Sequence, residues 1–387
     1  MSMQSRIISF IFFTLFTSLS FAQSRDSLSF FSEAFQSERQ VTIISPADFK
    51  YQAPGLKLPV IYILDGQHEW FIEPLVSTLK YLKATYEIPN ALVVIIPHKN
   101  RYKECPFENI DGPSNDLHRF ITQDLEKQLA PFHPGSYRLI IGHSFSASFA
   151  LYSFLKGDGF YSAVIANSPL DQMDNLIKSL AEKENIDRTS IAISIGSNDF
   201  DKDSYHRAAY DKVKATYPQF FSDILSFESE EAAHNSIPLI ANPYFLSKLF
   251  YPFSRRFGTI AKVNEEYKLA TAPDSPTLEL EKINTASRLG KYYYAPEIGE
   301  INGLASRYLN SGFNEQAKSV YELGLESYPR YYDFHLRLYE LYLEENPTKA
   351  IAYLKKAYTL FEDLEKGEGD YQEFLAELKT ELDKSVE

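Results

Sequence analysis

The sequence predicts an α/β fold, a doubly wound and mostly parallel sheet, followed by an all-α C-terminal region. Three observations carry this. Short apolar runs alternate with amphipathic stretches from about residue 39 to 252. Several of those runs are apolar throughout rather than alternating, as central strands covered on both faces must be. After about residue 253 strand-like runs cease and the chain reads as helix.

The strand candidates are RQVTIIS (39–45), PVIYILD (59–65), ALVVIIPH (91–98), YRLIIGH (137–143), SAVIANS (162–168), SIAISIG (190–196) and DILSFES (223–229). Helical patterns lie between them, among them SNDLHRFITQDLEKQLAPF (114–132) and YHRAAYDKVKATY (205–217). The segment ATAPDSPTLE (270–279) reads as a linker or a helix start. From about 298, Leu304, Ala305, Tyr308, Gly312, Ala317, Tyr321, Gly324 and Pro329 fall at the offsets of a tetratricopeptide unit. A weaker second copy follows, pairing Ala317 with Ala350, Tyr321 with Leu354 and Gly324 with Ala357. Two such repeats fall short of the ~3 needed to stand alone, so this tetratricopeptide-like region is expected to pack on something, the chain itself or a protein partner. A plain helical hairpin cap is the simpler alternative.

The first residues, MSMQSRIISFIFFTLFTSLSFA, have an early Arg6, an apolar core and small residues ending at Ala22. That layout predicts a signal peptide over 1–22 and an exported protein, periplasmic or extracellular; the apolar core is shorter than the ~20 residues a membrane span needs. The expected organisation is then 23–252 for the α/β domain, 253–297 for a helical linker and 298–387 for the helical region. With 39 basic and 52 acidic residues the formal charge is −13, which argues against nucleic acid or anionic lipid as partners. The single cysteine, Cys105, leaves no internal disulfide to form. No HxxxH, CxxC, GxGxxG or GxxxxGK[ST] pattern occurs, so neither a metal nor a nucleotide cofactor is expected.

The chemistry is expected at the strand ends. YRLIIGH runs into Ser144 and at once into a helical pattern. A serine hydroxyl needs a base within hydrogen-bond reach and a carboxylate to orient that base. SIAISIG is followed by Asp199, Asp201 and Asp203, and DILSFESEE leads to His234. The order serine, acid, histidine, each past a strand, makes Ser144 the candidate nucleophile, His234 the base and Asp199 the acid, with Asp201 second and Asp203 third. Each aspartate has an alternative role as a helix cap. An oxyanion hole needs backbone N–H groups aimed at the developing charge. Phe145 is expected to supply one, and Gly66 or Gln67, in the turn after PVIYILD, the other. His68, Glu69, Trp70 and Phe71 then fall near the substrate pocket. His143, His118, His133, His206 and His335 read as local packing or surface residues.

These residues resemble the putative-esterase family of α/β-hydrolases, which includes siderophore esterases and S-formylglutathione hydrolases. The resemblance covers roughly residues 30–252 and rests on SERQVTIISP, PVIYILDG, IPHKNRYKECPF, FITQDLEKQLAPF, YRLIIGHSFSASFALYSFL, IANSPL and EAAHNSIP. It implies a serine carboxylic-ester hydrolase with Ser144 and His234 as nucleophile and base and the acid at or near Asp199. A helical tail behind such a domain resembles an arrangement seen in exported bacterial esterases. Two departures stand out. The family's GHSFGG is GHSFSA here, with Ser146 and Ala147 for both glycines, and its NxxRD is Asn100-Arg101-Tyr102-Lys103-Glu104, which leaves a carboxylate near Arg101 in a shifted register. The competing expectation from those lost glycines is a degenerate hydrolase domain acting as a scaffold for its helical tail. Substrate identity, and acyl transfer to water or to another acceptor, are not legible at this level.

Overall fold

The structure, a computed structural model, describes residues 24–197, 201–367 and 370–386. Its centre is an eight-stranded sheet in the order β1-β2-β4-β3-β5-β6-β7-β8. The strands are β1 (Ser24–Ser32), β2 (Ser37–Ser45), β3 (Leu58–Ile63), β4 (Leu92–Ile95), β5 (Pro134–His143), β6 (Ala163–Asn167), β7 (Ile191–Ile195) and β8 (Leu225–Glu228). β1 and β2 form an antiparallel pair, β2 meets β4 antiparallel, and every pairing from β4 to β8 is parallel. This is the doubly wound, mostly parallel sheet expected.

Every residue of β3, β4, β6 and β7 is buried, which is why those segments read as unbroken apolar runs. Alternate side chains feed two cores. Val60, Tyr62, Ile140 and Val164 face one set of helices with Phe120 and Phe149, whereas Ile61, Ile63, Leu139 and Ile141 face Phe71, Leu75 and Phe245 on the other side. The helices that matter for the site are α1 (Glu69–Ala84), α2 (Phe145–Lys156), α3 (Met173–Glu182), α4 (Asp201–Thr216) and α5 (Ile237–Leu249). β1 has no counterpart among the sequence-predicted strands. It is an edge strand, SRDSLSFFS, exposed along most of its length, so it lacks the apolar run that marks the others.

From β3 the chain goes outward to β4 and then crosses back to β5 on the far side of β3. The sheet therefore reverses its winding at β3 and β5, and a crevice opens beyond their C-terminal ends. Asp65–His68 and Ser144 lie at those two ends.

The C-terminal region begins with α6 (Pro276–Ala286) and a two-stranded hairpin, β9 (Arg288–Leu289) and β10 (Tyr292–Tyr293), which turns at Gly290 with φ +59. The sequence reading expects only helix here; strands of two residues are too short to leave a period in the sequence. α7 (Ile298–Asn310), α8 (Asn314–Ser327), α9 (Tyr332–Tyr342), α10 (Pro347–Leu364) and α11 (Tyr371–Val386) follow, each packed on the next. The small residues picked out by the period of the sequence, Ala317, Ala350 and Ala357, are fully buried. At Gly324 a Cβ would lie 2.7 Å from the Phe334 ring, so α8 and α9 approach closely only because this position is glycine. None of the helices among the described residues is long and apolar enough to cross a membrane. The residues assigned to the signal peptide, 1–22, lie outside the described residues.

This helical region is joined to one end of the sheet. Tyr51, before β3, is buried among Ile301, Leu304, Tyr308 and Phe334, and its hydroxyl donates to Glu365 Oε1 (2.5 Å). Ala53 N donates to Ser327 O (2.8 Å), Asn90 N, before β4, to Glu297 Oε1 (2.6 Å), and Tyr292 OH to Ser162 Oγ, before β6 (2.8 Å). All of these anchors precede their strands, so the helices brace the N-terminal end of the sheet, opposite the crevice.

The junction buries acids. Burial first, then the charges of Glu300 and Asp48, push the Glu297 carboxyl well above the ordinary carboxylate range, and burial also raises Asp48 and Glu300. The folded protein thus keeps protons that the unfolded chain releases, and stability falls as pH rises above the ordinary carboxylate range. Glu297→Gln, which retains an oxygen for Asn90 N, is expected to flatten that fall: its melting temperature should drop less than the wild type's between about pH 5 and about pH 8. Thermal melts at both pH values check this, and an unchanged pH dependence would remove Glu297 as a source.

Candidate functional site

Ser144 sits between β5 and α2 with φ 61 and ψ −121, a conformation that costs an L-residue on the order of 1–3 kcal/mol. The neighbours impose it. The Ser144 N–H donates to Asn167 O on β6 (2.8 Å), while the Ala147 and Ser148 N–H groups turn back to Ser144 O (3.0 and 3.2 Å). The helix is drawn so close to β5 that a Cβ on Gly142 would lie 2.2 Å from Ser146 O. Only glycine fits at 142. The first N–H groups of a helix lack intrahelical acceptors. That of Phe145 meets no acceptor among the described residues.

The turn after β3 supplies a second free donor, one residue later than Gly66. The Gly66 N–H is engaged by Ile96 O (3.0 Å), which takes it out of the expected oxyanion hole. Glycine is required there for another reason: a Cβ would lie 2.8 Å from Pro97 N. The Gln67 N–H has no acceptor among the described residues. Its side chain is fixed on both sides, with Oε1 accepting from His98 N (2.9 Å) and Nε2 donating to Asp65 Oδ1 (3.2 Å).

His234 follows β8 in a loop tied to the end of β7 by Ser197 N donating to Ala232 O (2.9 Å). Its ring packs against His143 (4.5 Å between centroids) and His206 (4.2 Å), and its carbonyl accepts from His143 Nε2 (2.8 Å). The histidine loop is thereby brought to the residue preceding Ser144. Burial, with the neighbouring His234 charge, keeps His143 well below the usual imidazole range, so it is a neutral donor. His206 reads as an isolated helix histidine in the sequence; here its Nδ1 donates to Ser168 O (2.8 Å) and its ring backs His234. Asp199 lies outside the described residues, two positions past Ser197. Asp201 opens α4, and Asp203 lies in its first turn.

Behind the two donor loops lies a buried polar cluster. Glu104 does not pair with Arg101, as the shifted register suggests, but receives both arms of Arg39 (2.8 and 2.9 Å) and meets His98 Nδ1 (3.2 Å). Burial opposes its charge, but the hydrogen bonds from His98 and Arg39 win and hold it at about 2. Arg101 instead lies 3.4 Å from Asp65 and donates to His143 O (3.0 Å). Ser146, fully buried, places its hydroxyl 3.3 Å from His98 Nε2 and 3.4 Å from Cys105 Sγ, while Ala147 enters the core. The glycines of GHSFGG are thus replaced without loss of the turn. Beside His234, a slot between α1 and α5 is lined by Trp70, Phe71, Leu75, Asn235 and Leu239, and the Trp70 ring stands edge-on to His143 (5.6 Å).

Residues 32–217 match the profile of the family described as Putative esterase. No curated protein matches the chain. Among solved structures, an uncharacterised protein from Capnocytophaga ochracea is 16% identical over 92% of this chain and 100% of its own, with a TM-score of 0.54. An IroE-like serine hydrolase from Shewanella oneidensis is 16% identical over 78% of this chain and 98% of its own, with a TM-score of 0.56. At such identity both likenesses speak to fold.

The strain at Ser144 has a measurable consequence. Ser144→Gly, which relieves a positive φ, is expected to stabilise the fold by about 1 kcal/mol in urea denaturation. A destabilised Ser144→Gly would mean that the turn is not under strain.

Proposed function

We propose that the chain, whose residues 32–217 match the putative-esterase profile, is an exported serine carboxylic-ester hydrolase working through an acyl-enzyme on Ser144. The observation that carries the reading is the Ser144 turn itself: a serine with φ 61 at the end of a central strand, followed by a helix-opening N–H that meets no acceptor among the described residues. Backbone of that kind is kept where the fold needs a side chain held clear of strand and helix.

In this reading His234 takes the Ser144 proton as Oγ attacks the acyl carbon, then passes it to the leaving alcohol. Asp199 orients the imidazole, with Asp201 as the alternative acid. The carbonyl oxygen becomes an oxyanion received by the N–H groups of Phe145 and Gln67, and water repeats the sequence to release the acid. The slot beside Trp70 and Leu239 takes the acyl or alcohol portion. Residues 1–22 are read as a signal peptide, and the tetratricopeptide-like helices as a brace on the hydrolase domain.

A fluorophosphonate probe is expected to label the wild type and not Ser144→Ala. Hydrolysis of short p-nitrophenyl esters should fall by roughly 10³-fold or more in Ser144→Ala and His234→Ala. Asp199→Asn should lose a comparable factor while Asp201→Asn stays near wild type, and the reverse order would move the acid to Asp201. A folded wild type that neither labels nor cleaves these esters overturns the proposal.

A further inference from the structure

The two free N–H groups belong to different loops, one after β3 and one opening α2, and must converge on a single oxygen. One residue beyond β4 touches both loops. His98 N donates to the Gln67 side chain (2.9 Å), and its Nε2 lies 3.3 Å from the hydroxyl of Ser146, the residue after Phe145. The ring is wholly buried, so it reaches neither substrate nor solvent. Its other nitrogen, Nδ1, is 3.2 Å from Glu104 Oε2, which Arg39 clamps in turn. Glu104 and Arg39 hold the ring from β2 and the loop after β4, Asp65 lies 3.9 Å away in the β3 turn, and Cys105 Sγ is 3.8 Å from Nε2.

We propose that His98 is a positioning residue for the oxyanion site, fixing the Phe145 N–H through Ser146 and the Gln67 N–H through the Gln67 side chain. The inference rests on the serine-esterase reading and deepens it. The ring can hold Glu104 and Ser146 together in its neutral form, with Nδ1 donating to Glu104 and Nε2 accepting from the hydroxyl, or in its charged form, with both nitrogens donating. The surroundings favour the charged form: burial works against the charge, but the hydrogen bonds of Cys105 and Glu104 raise His98 to about 9. Ser146 acquires a purpose as well. A glycine there would leave the ring nothing to grip on α2, whereas the hydroxyl gives a handle one residue from the donor.

Two substitutions separate positioning from packing. In His98→Asn the amide reaches only as far as Nδ1, so Glu104 is kept and Ser146 lost; in His98→Gln it reaches the Nε2 position and Ser146 is kept. With the full chain and p-nitrophenyl butyrate, His98→Asn is expected to lower kcat about 10- to 100-fold with KM within about threefold. The Ki of a trifluoromethyl ketone, whose adduct oxygen occupies the oxyanion site, should rise by a similar factor. His98→Gln should recover most of the loss. Ser146→Gly should lower kcat about three- to tenfold, and adding it to His98→Asn should cost little more.

The proposal is overturned if a folded His98→Asn keeps kcat within threefold of wild type, if the loss falls on KM, or if Gln and Asn are equally impaired. Should neither His98 variant fold, Ser146→Gly decides alone, wild-type kcat and Ki overturning the proposal. In each of these cases an active wild type and an inactive Ser144→Ala leave the esterase reading standing. A wild type inert to ester and probe removes that reading first.

Discussion

The approach of α2 to the end of β5 is the constraint around which the site is built. Helix and strand meet so tightly that residue 142 has no room for a Cβ, and the chain can pass between them only by forcing Ser144 into a left-handed conformation. The strain is held by ordinary bonds from both sides, to Asn167 on the neighbouring strand and to the first turn of the helix. A single exposed loop could not enforce it. The full burial of β5 and β6 at this end makes the turn a property of the sheet, and the free Phe145 N–H follows because a helix must begin somewhere.

A second loop must then be brought up to the first, and here charge does what apolar packing does in the sheet. Arg39, Glu104, His98, Asp65 and Arg101 form a chain of paired groups running from β2 under both donor loops to the carbonyl of His143. Removing one member of a buried cluster leaves its neighbours uncompensated, so such a cluster fixes geometry more firmly than apolar contacts of the same size. Ser146 and Cys105 belong to this assembly through their contacts with His98. What reads as the loss of a signature glycine is the gain of a polar contact.

Much of this was legible in the sequence, and the exceptions have physical causes. The buried strands announce themselves because both faces are apolar, and β1 does not because an edge strand need not be. Ser144 and His234 are visible as residues past strand ends. Gly66 is visible as important but not for its reason, since sequence does not say whether a glycine is present for its N–H or for its missing side chain. Glu104 is read beside Arg101 because they are near in sequence, whereas the fold turns it to Arg39, 65 residues earlier. His98 escapes notice and His206 reads only as local packing or surface, as the partners that give them meaning come from other strands and helices. The position of Asp199 in space lies outside the described residues.

The helical region is anchored on segments that lead into strands, at Tyr51, Ala53, Asn90 and Ser162, and on the chain just before it, where Arg256 pairs with Glu300. Floor and mouth of the sheet are therefore divided between two tasks. Sequence change in the helices can alter how firmly the floor is held without redrawing the rim that carries Ser144 and Gln67. A body that gripped this protein by its helices would hold it as a cup is held by its base, with the opening turned outward.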